Sequence, residues 1–277
     1  MKKGINVWTM PQALTIAEQI ALAEAAGYQT IEFNVAERHE KALDLSLETT
    51  YDELRAIKQL LDNATVRLES LSTALHWQFP LTANEADVRE KGQAIVRKMI
   101  DFAEVLGAET VLVVPGLVTA EVGYATCYLR SLEALNELST YAESKKITIG
   151  IENVENLFLL SPLEARDFID KIASPFVRFY FDVGNALPFG YPEQWIEILG
   201  KRITKIHVKD FRREIGNLQG FCQLLAGDVN WEKVILALRE IGYDGPLTCE
   251  LSPYRYQAEQ LTHDTSKALD ILLTIGG

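Results

Sequence analysis

Four residues stand where short apolar runs give way to polar ones: Glu152 in "IGIEN", Asp182 in "FYFDVGN", His207 in "KIHVKD" and Glu250 in "LTCELS". They are separated by 30, 25 and 43 residues. Each alone has an ordinary explanation, such as a helix cap, a lysine partner or a hydrogen-bonded core histidine. Together they are harder to explain that way, because carboxylates crowded into one place repel and resist ionisation unless a cation neutralises them. One divalent ion would satisfy three carboxylate oxygens and an imidazole nitrogen. An oxygen-rich set with a single histidine suits Mn²⁺, Mg²⁺, Co²⁺ or Zn²⁺.

For these four to meet, the chain must bring four strand ends to one face. Segments such as "AEQIALAEAAGYQTIEFN", "KMIDFAEVLGAETVLVVP" and "LALREIGYDGPLTCELS" each read as an amphipathic helix, a glycine suited to a left-handed cap (Gly27, Gly107, Gly242), and a short apolar run. "YAESKKITIGIEN" repeats the pattern without the glycine. Strands are expected at 3–8, 29–34, 66–75, 110–114, 147–152, 177–182, 203–208 and 246–251, with helices between them. Eight such units without a Pro/Ser-rich linker predict one domain over 1–277, an α/β fold of the single (β/α)8 TIM barrel type. Its length of 277 residues and 48% apolar content support a core of that size. A doubly wound open sheet fits less well, since "GINVWTMPQ" carries no GxGxxG after the first strand. In a barrel, the C-terminal strand ends form the catalytic mouth, and the four residues share it.

The net charge is −12, with lysines and arginines scattered singly, so no basic stripe awaits a phosphate backbone and nucleic acid is not an expected partner. "MKKGINVWTMPQ" has no apolar core behind its lysines, and no run approaches 18 apolar residues. A cytoplasmic protein with no membrane association is expected. Cys127, Cys222 and Cys249 form no CxxC pair and read as reduced packing residues.

Around the mouth, Lys209 follows His207 by two positions and Arg213 by six, and either could hold substrate hydroxyls or a phosphate. His76 in "TALHWQFP" could meet the substrate or make a loop hydrogen bond. Trp8, Trp77 and Phe79 could form an apolar wall or pack in the core, while His39 and His263 read as surface residues. The long segment "FRREIGNLQGFCQLLAGDVNW", with Gly216, Gly220 and Gly227, could shape a phosphate pocket or a lid. Asp228 is expected to cap the following helix.

The motifs "GIENV", "FDVGN", "IHVKD" and "GYDGPLTCEL", with "AEAAGYQTIEF" near the start, resemble the xylose isomerase-like TIM-barrel superfamily of sugar isomerases and epimerases across essentially the whole chain. "DVGN" and "HVKD" are most similar to the L-ribulose/L-xylulose-5-phosphate 3-epimerase branch. The resemblance implies one divalent metal on Glu152, Asp182, His207 and Glu250, with the two glutamates as a proton-transfer pair. It implies a small sugar or sugar phosphate as partner, and is compatible with a homo-oligomer. One departure is Asn185, which stands where tagatose-type epimerases and multi-metal endonucleases carry a histidine; it favours a one-metal sugar site, with Asn185 beside the substrate. The activity so implied is epimerisation at C3 of a ketose or ketose phosphate, by two-glutamate proton transfer through an enediolate that the metal stabilises. Aldose–ketose isomerisation, a dehydratase of the inosose or dehydroshikimate type, and a non-catalytic sugar-binding barrel remain open alternatives.

Overall fold

Apolar, β-branched runs buried on both faces build a ring of parallel strands. The computed structural model describes residues 1–39 and 45–276. The strands are β1 (Lys2–Asn6), β2 (Thr30–Asn34), β3 (Arg67–Ser72), β4 (Thr110–Val113), β5 (Thr148–Glu152), β6 (Val177–Asp182), β7 (Ile203–Val208) and, after a two-residue antiparallel pair β8 (Asp210–Phe211) and β9 (Phe221–Cys222), β10 (Pro246–Cys249). Eight of them close into a barrel in the order β1-β10-β7-β6-β5-β4-β3-β2, all pairings parallel. The (β/α)8 expectation holds, and closure removes the open-sheet alternative.

The helices α1 (Ile16–Ala25), α2 (Tyr51–Asp62), α3 (Ala86–Leu106), α4 (Tyr124–Lys145), α5 (Pro162–Ile172), α6 (Val183–Ala186), α7 (Pro192–Leu199), α8 (Trp231–Glu240) and α9 (Ala258–Leu273) lie between and after the strands. Thr15 with Glu18 and Thr50 with Glu53 form capping boxes that start α1 and α2 by satisfying backbone N–H groups the helix cannot. Gly27, Gly107 and Gly242 take the positive φ values that the sequence requires of them. In "YAESKK" the same position falls to Lys146, at φ 57°.

Four strands end earlier than the apolar pattern suggests, β4 by one residue at Val113. β1 stops at Asn6, whose side chain accepts the Trp8 N–H and turns the chain into a short 3-10 helix. β3 stops at Ser72, and Thr73 Oγ1 then accepts from Leu75 N and donates to the Val35 carbonyl. β10 stops at Cys249, so Glu250 lies one residue beyond it and keeps only a 3.3 Å backbone bond to the Val208 carbonyl.

Polar groups cross the barrel interior. Register shifts between Ile31 and Glu32 in the β2–β3 pairing and between Phe179 and Tyr180 in the β6–β7 pairing leave Glu69 and Thr204 as extra residues. Such bulges re-aim neighbouring side chains. Here Glu69 and Ser70, adjacent in sequence, both reach interior partners: Glu69 accepts from Lys205 Nζ at 2.5 Å, and Ser70 Oγ donates to Glu32 at 2.5 Å. Tyr180 fills the middle of the barrel because Gly150 leaves it room; a Cβ there would lie 3.0 Å from the Tyr180 ring.

Candidate active site

Asp182 ends β6 and also caps α6: its Oδ1 accepts the Asn185 N–H at 2.7 Å. The "GIEN" and "DVGN" motifs stitch two strand ends together. Asn153 Oδ1 accepts from Asp182 N (2.8 Å), Asn153 Nδ2 donates to the Asp182 carbonyl (2.9 Å), and Asn185 Nδ2 donates to the Asn153 carbonyl (2.8 Å). This rigid corner aims the other carboxylate oxygen of Asp182 at its neighbours. Glu152 closes β5 and His207 lies one residue before the end of β7. One ligand atom from each of Glu152, Asp182, His207 and Glu250 lies within 4.8 Å of the others. His207 Nδ1 is 2.8 Å from Glu152 Oε1 and 3.7 Å from Glu250 Oε2.

These residues fit a divalent cation. Asp182 Oδ2 is buried and makes no hydrogen bond, although Lys209 Nζ stands 3.0 Å away. Three carboxylates and one imidazole nitrogen converge with it, a donor set that hard and borderline divalent ions accept.

The charges in the cluster pull against burial. Burial raises the Glu152 pKa to about 8, with His207 opposing and Glu250 adding repulsion. Burial raises Asp182 too, against the pull of Lys209. For Glu250 the outcome reverses, because Lys209 Nζ at 2.6 Å, together with His207, outweighs burial and holds the carboxyl below its ordinary range. Burial would lower His207, yet Glu32, Glu250 and Glu152 around it hold it well above the usual imidazole value.

Glu32 escaped the sequence reading. It lies mid-way along β2, 1% exposed, with Oε1 2.7 Å from His207 Nε2. The signal available was the one used for Asp182, a carboxylate inside an apolar run, but Glu32 is not at a strand end and the spacing pattern passes over it.

Other expected site residues fall in several places. Lys209 lies inside the cluster, bonded to Glu250 and paired with Asp182, rather than out where substrate hydroxyls alone would meet it. Its stem runs against Gly184, where a Cβ would come within 2.5 Å of Lys209 Cγ. Trp8 lines a cavity of about 570 Å³ together with Lys209, Phe221, Glu250, Leu251 and Pro253. His76 is 1% exposed, and among the described residues neither ring nitrogen has a hydrogen-bond partner, so the loop hydrogen bond considered for it is not found there. Asn185 Nδ2 serves the strand corner, while its Oδ1 is buried and unpaired. Trp77 is exposed, Phe79 packs partly buried beneath Lys91, and His39 and His263 are partly exposed beside surface glutamates.

Arg213 reaches sideways to the loop after β6, donating from Nη2 to the Gly190 carbonyl at 2.5 Å and lying over the Tyr191 ring. Asp228 does not cap α8; Asn230 does, and Asp228 instead accepts the Arg213 N–H. The long segment after β7 is anchored by Asp210, fully buried, which accepts from Phe211 N, Val229 N and Trp231 Nε1 at 2.9, 3.1 and 2.9 Å. Gly227 and Gly220 are explained by this packing: a Cβ at Gly227 would stand 2.2 Å from Asp210 Oδ1, and one at Gly220 2.7 Å from the Phe211 ring. Among the described residues, no helix is long and apolar enough to cross a membrane.

Known proteins share this architecture. The chain is 25% identical over 268 residues to L-ribulose-5-phosphate 3-epimerase UlaE of Escherichia coli O157:H7 (strain EC4115 / EHEC), covering 96% of this chain and 92% of that one. A crystal structure of D-psicose 3-epimerase in the presence of D-fructose superposes with a TM-score of 0.82 at 18% identity, covering all of both chains. The IolI protein with a bound zinc atom superposes with a TM-score of 0.83 at 18% identity, over 99% of this chain and 98% of that one. Residues 20–272 match the family described as xylose isomerase-like TIM barrel. With a closed parallel barrel and this match over most of its length, the chain belongs to the xylose isomerase-like TIM barrel family.

Proposed function

We propose that this protein is a divalent-metal-dependent epimerase of a ketose or ketose phosphate, inverting C3 by proton transfer between two glutamates. One observation carries the reading. Glu152 and Glu250 flank the cluster from β5 and from just beyond β10, with β6 and β7 between them, and each brings a carboxylate oxygen toward His207 Nδ1, at 2.8 and 3.7 Å. Two carboxyl groups on two sides of one cluster are what a two-base inversion needs, one to donate a proton and the other to accept one. The relatives named for 3-epimerases support the same reaction class.

Glu152, Asp182, His207 and Glu250 would hold the ion, which when bound supplies Lewis-acid polarisation of a carbonyl oxygen. The chain does the rest. Lys209, between Asp182 and Glu250, places a positive charge where a substrate oxygen would gain negative charge. Trp8, Phe221, Leu251 and Pro253 wall the cavity and exclude water from the carbon that exchanges its proton. Arg213, held against the loop after β6 by Gly190 and Tyr191, is a candidate for a substrate phosphate. His76 and Asn185 Oδ1, buried and unpaired, are candidates for substrate hydroxyls.

The test is incubation with ketoses and ketose phosphates in deuterated buffer, using the wild type, Glu152→Gln and Glu250→Gln. Deuterium should enter at C3 with the wild type. Each Gln variant should lose net epimerisation, and the two should retain exchange on opposite epimers. Exchange at C1 alone would make the enzyme an aldose–ketose isomerase, and formation of a conjugated product would make it a dehydratase. Unchanged sugar with no deuterium incorporation would leave a binding barrel.

A further inference from the structure

The two nitrogens of His207 face different partners. Nδ1 points into the cluster of Glu152 and Glu250, whereas Nε2 points away from it to Glu32 Oε1. Glu32 is unusual among the carboxylates of the barrel because every other contact it makes is with a neutral donor: Asn6 Nδ2 to Oε1 at 2.5 Å, Ser70 Oγ to Oε2 at 2.5 Å and Tyr180 OH to Oε2 at 2.7 Å. Those donors come from β1, β3 and β6, so Glu32 is held from three directions while it holds His207 on β7. Asn6 is itself fixed, since its Oδ1 accepts from Trp8 N and Asn34 Nδ2. The Tyr180 ring also lies against the imidazole, with centroids 4.5 Å apart.

We propose that Glu32 is a positioning residue of the metal site: it fixes the imidazole of His207 with its Nε2–H toward β2, and so presents the Nδ1 lone pair to the ion. This rests on the metal-site reading above. An imidazole without such an anchor can turn about its Cβ–Cγ bond and exchange tautomers, and binding an ion must then first restore the productive one. A carboxylate on the far nitrogen removes that freedom and makes the near nitrogen a stronger donor. Tyr180, Ser70 and Asn6 act one step further out, keeping the Glu32 carboxylate in place.

Two measurements test this without relying on turnover. In Glu32→Gln, Zn²⁺ affinity measured by competition with a chromophoric chelator should fall about 10- to 100-fold relative to wild type, the loss associated with removing such a partner. In the zinc-loaded wild type, a long-range ¹H–¹⁵N spectrum should show His207 protonated at Nε2 and metal-bound at Nδ1, a readout that survives even if Glu32→Gln does not fold. Equal zinc affinity in the folded variant and wild type, or a His207 protonated at Nδ1, would overturn the role of Glu32 while leaving the metal site standing. A wild type that binds no ion, matching His207→Ala, would instead bring down the metal reading and this inference with it.

Discussion

Replacing His76 with leucine should flatten the dependence of stability on pH by an amount that follows from its surroundings. His76 is 1% exposed with both ring nitrogens unpaired, and burial alone lowers its pKa from 6.5 to about 4. In the folded protein it therefore stays neutral at pH values where the unfolded chain takes up a proton. A depressed histidine pKa means that between the two values the unfolded state binds more protons, so stability rises with pH there and is lost as pH falls from 6.5 toward 4. At about 1.36 kcal/mol per pKa unit, the loss is about 2 kcal/mol by pH 5 and about 3 kcal/mol by pH 4. Urea unfolding of wild type and His76→Leu at pH 7.5 and pH 5 isolates this contribution, because the cluster carboxylates titrate in both proteins and cancel in the comparison. The wild type should lose about 2 kcal/mol more than the variant between those pH values. Equal losses would show that His76 is solvated or hydrogen-bonded in solution, and would refute the burial reasoning.

Three further outcomes are expected. Asp210→Ala should lower the urea midpoint and expose residues 212–230 to protease, since it strands the Trp231 indole N–H and two backbone N–H groups, and each lost bond to a charged acceptor costs about 1.5–3 kcal/mol; an unchanged midpoint would show that the segment is anchored elsewhere. Gly227→Ala should act in the same direction, because its methyl would overlap Asp210 Oδ1; a variant as stable as wild type would mean that the backbone there shifts freely. Arg213→Ala should raise KM for a phosphorylated ketose about 10- to 100-fold while sparing the unphosphorylated sugar, and equal losses on both would assign Arg213 to stitching the loops through Gly190 and Tyr191.

Much of this architecture was legible because barrel strands announce themselves. Runs such as "TVLVV" and "VRFYF" are rich in β-branched and aromatic residues, and Gly27, Gly107 and Gly242 punctuate helices of the barrel. The four cluster residues were legible for the same reason, since each breaks an apolar run at its end. What escaped depends on contacts between distant strands. Nothing local to Glu32 says that Tyr180, 148 residues away, will donate to it, and the bulge that lets Glu69 and Ser70 both face inward leaves no mark in the sequence. Asn6 and Thr73 end strands early through side-chain bonds to the backbone, which apolar patterning does not register. Asp228 and Asn230 were equally good helix caps by residue type, and the fold used the second because the first was committed to Arg213.

The bond between Lys205 and Glu69 has a consequence for traffic. β3 and β7 stand four places apart in a ring of eight, so this buried pair spans the barrel interior from wall to wall. A barrel so filled admits a small molecule only at its C-terminal mouth. In the proposed epimerisation both sugars would then share that doorway, and the newly made one would have to back out before the next could enter. Product would compete with substrate by simple obstruction, whichever of the two the pocket prefers, and net flux would be governed by whatever removes the departing epimer outside.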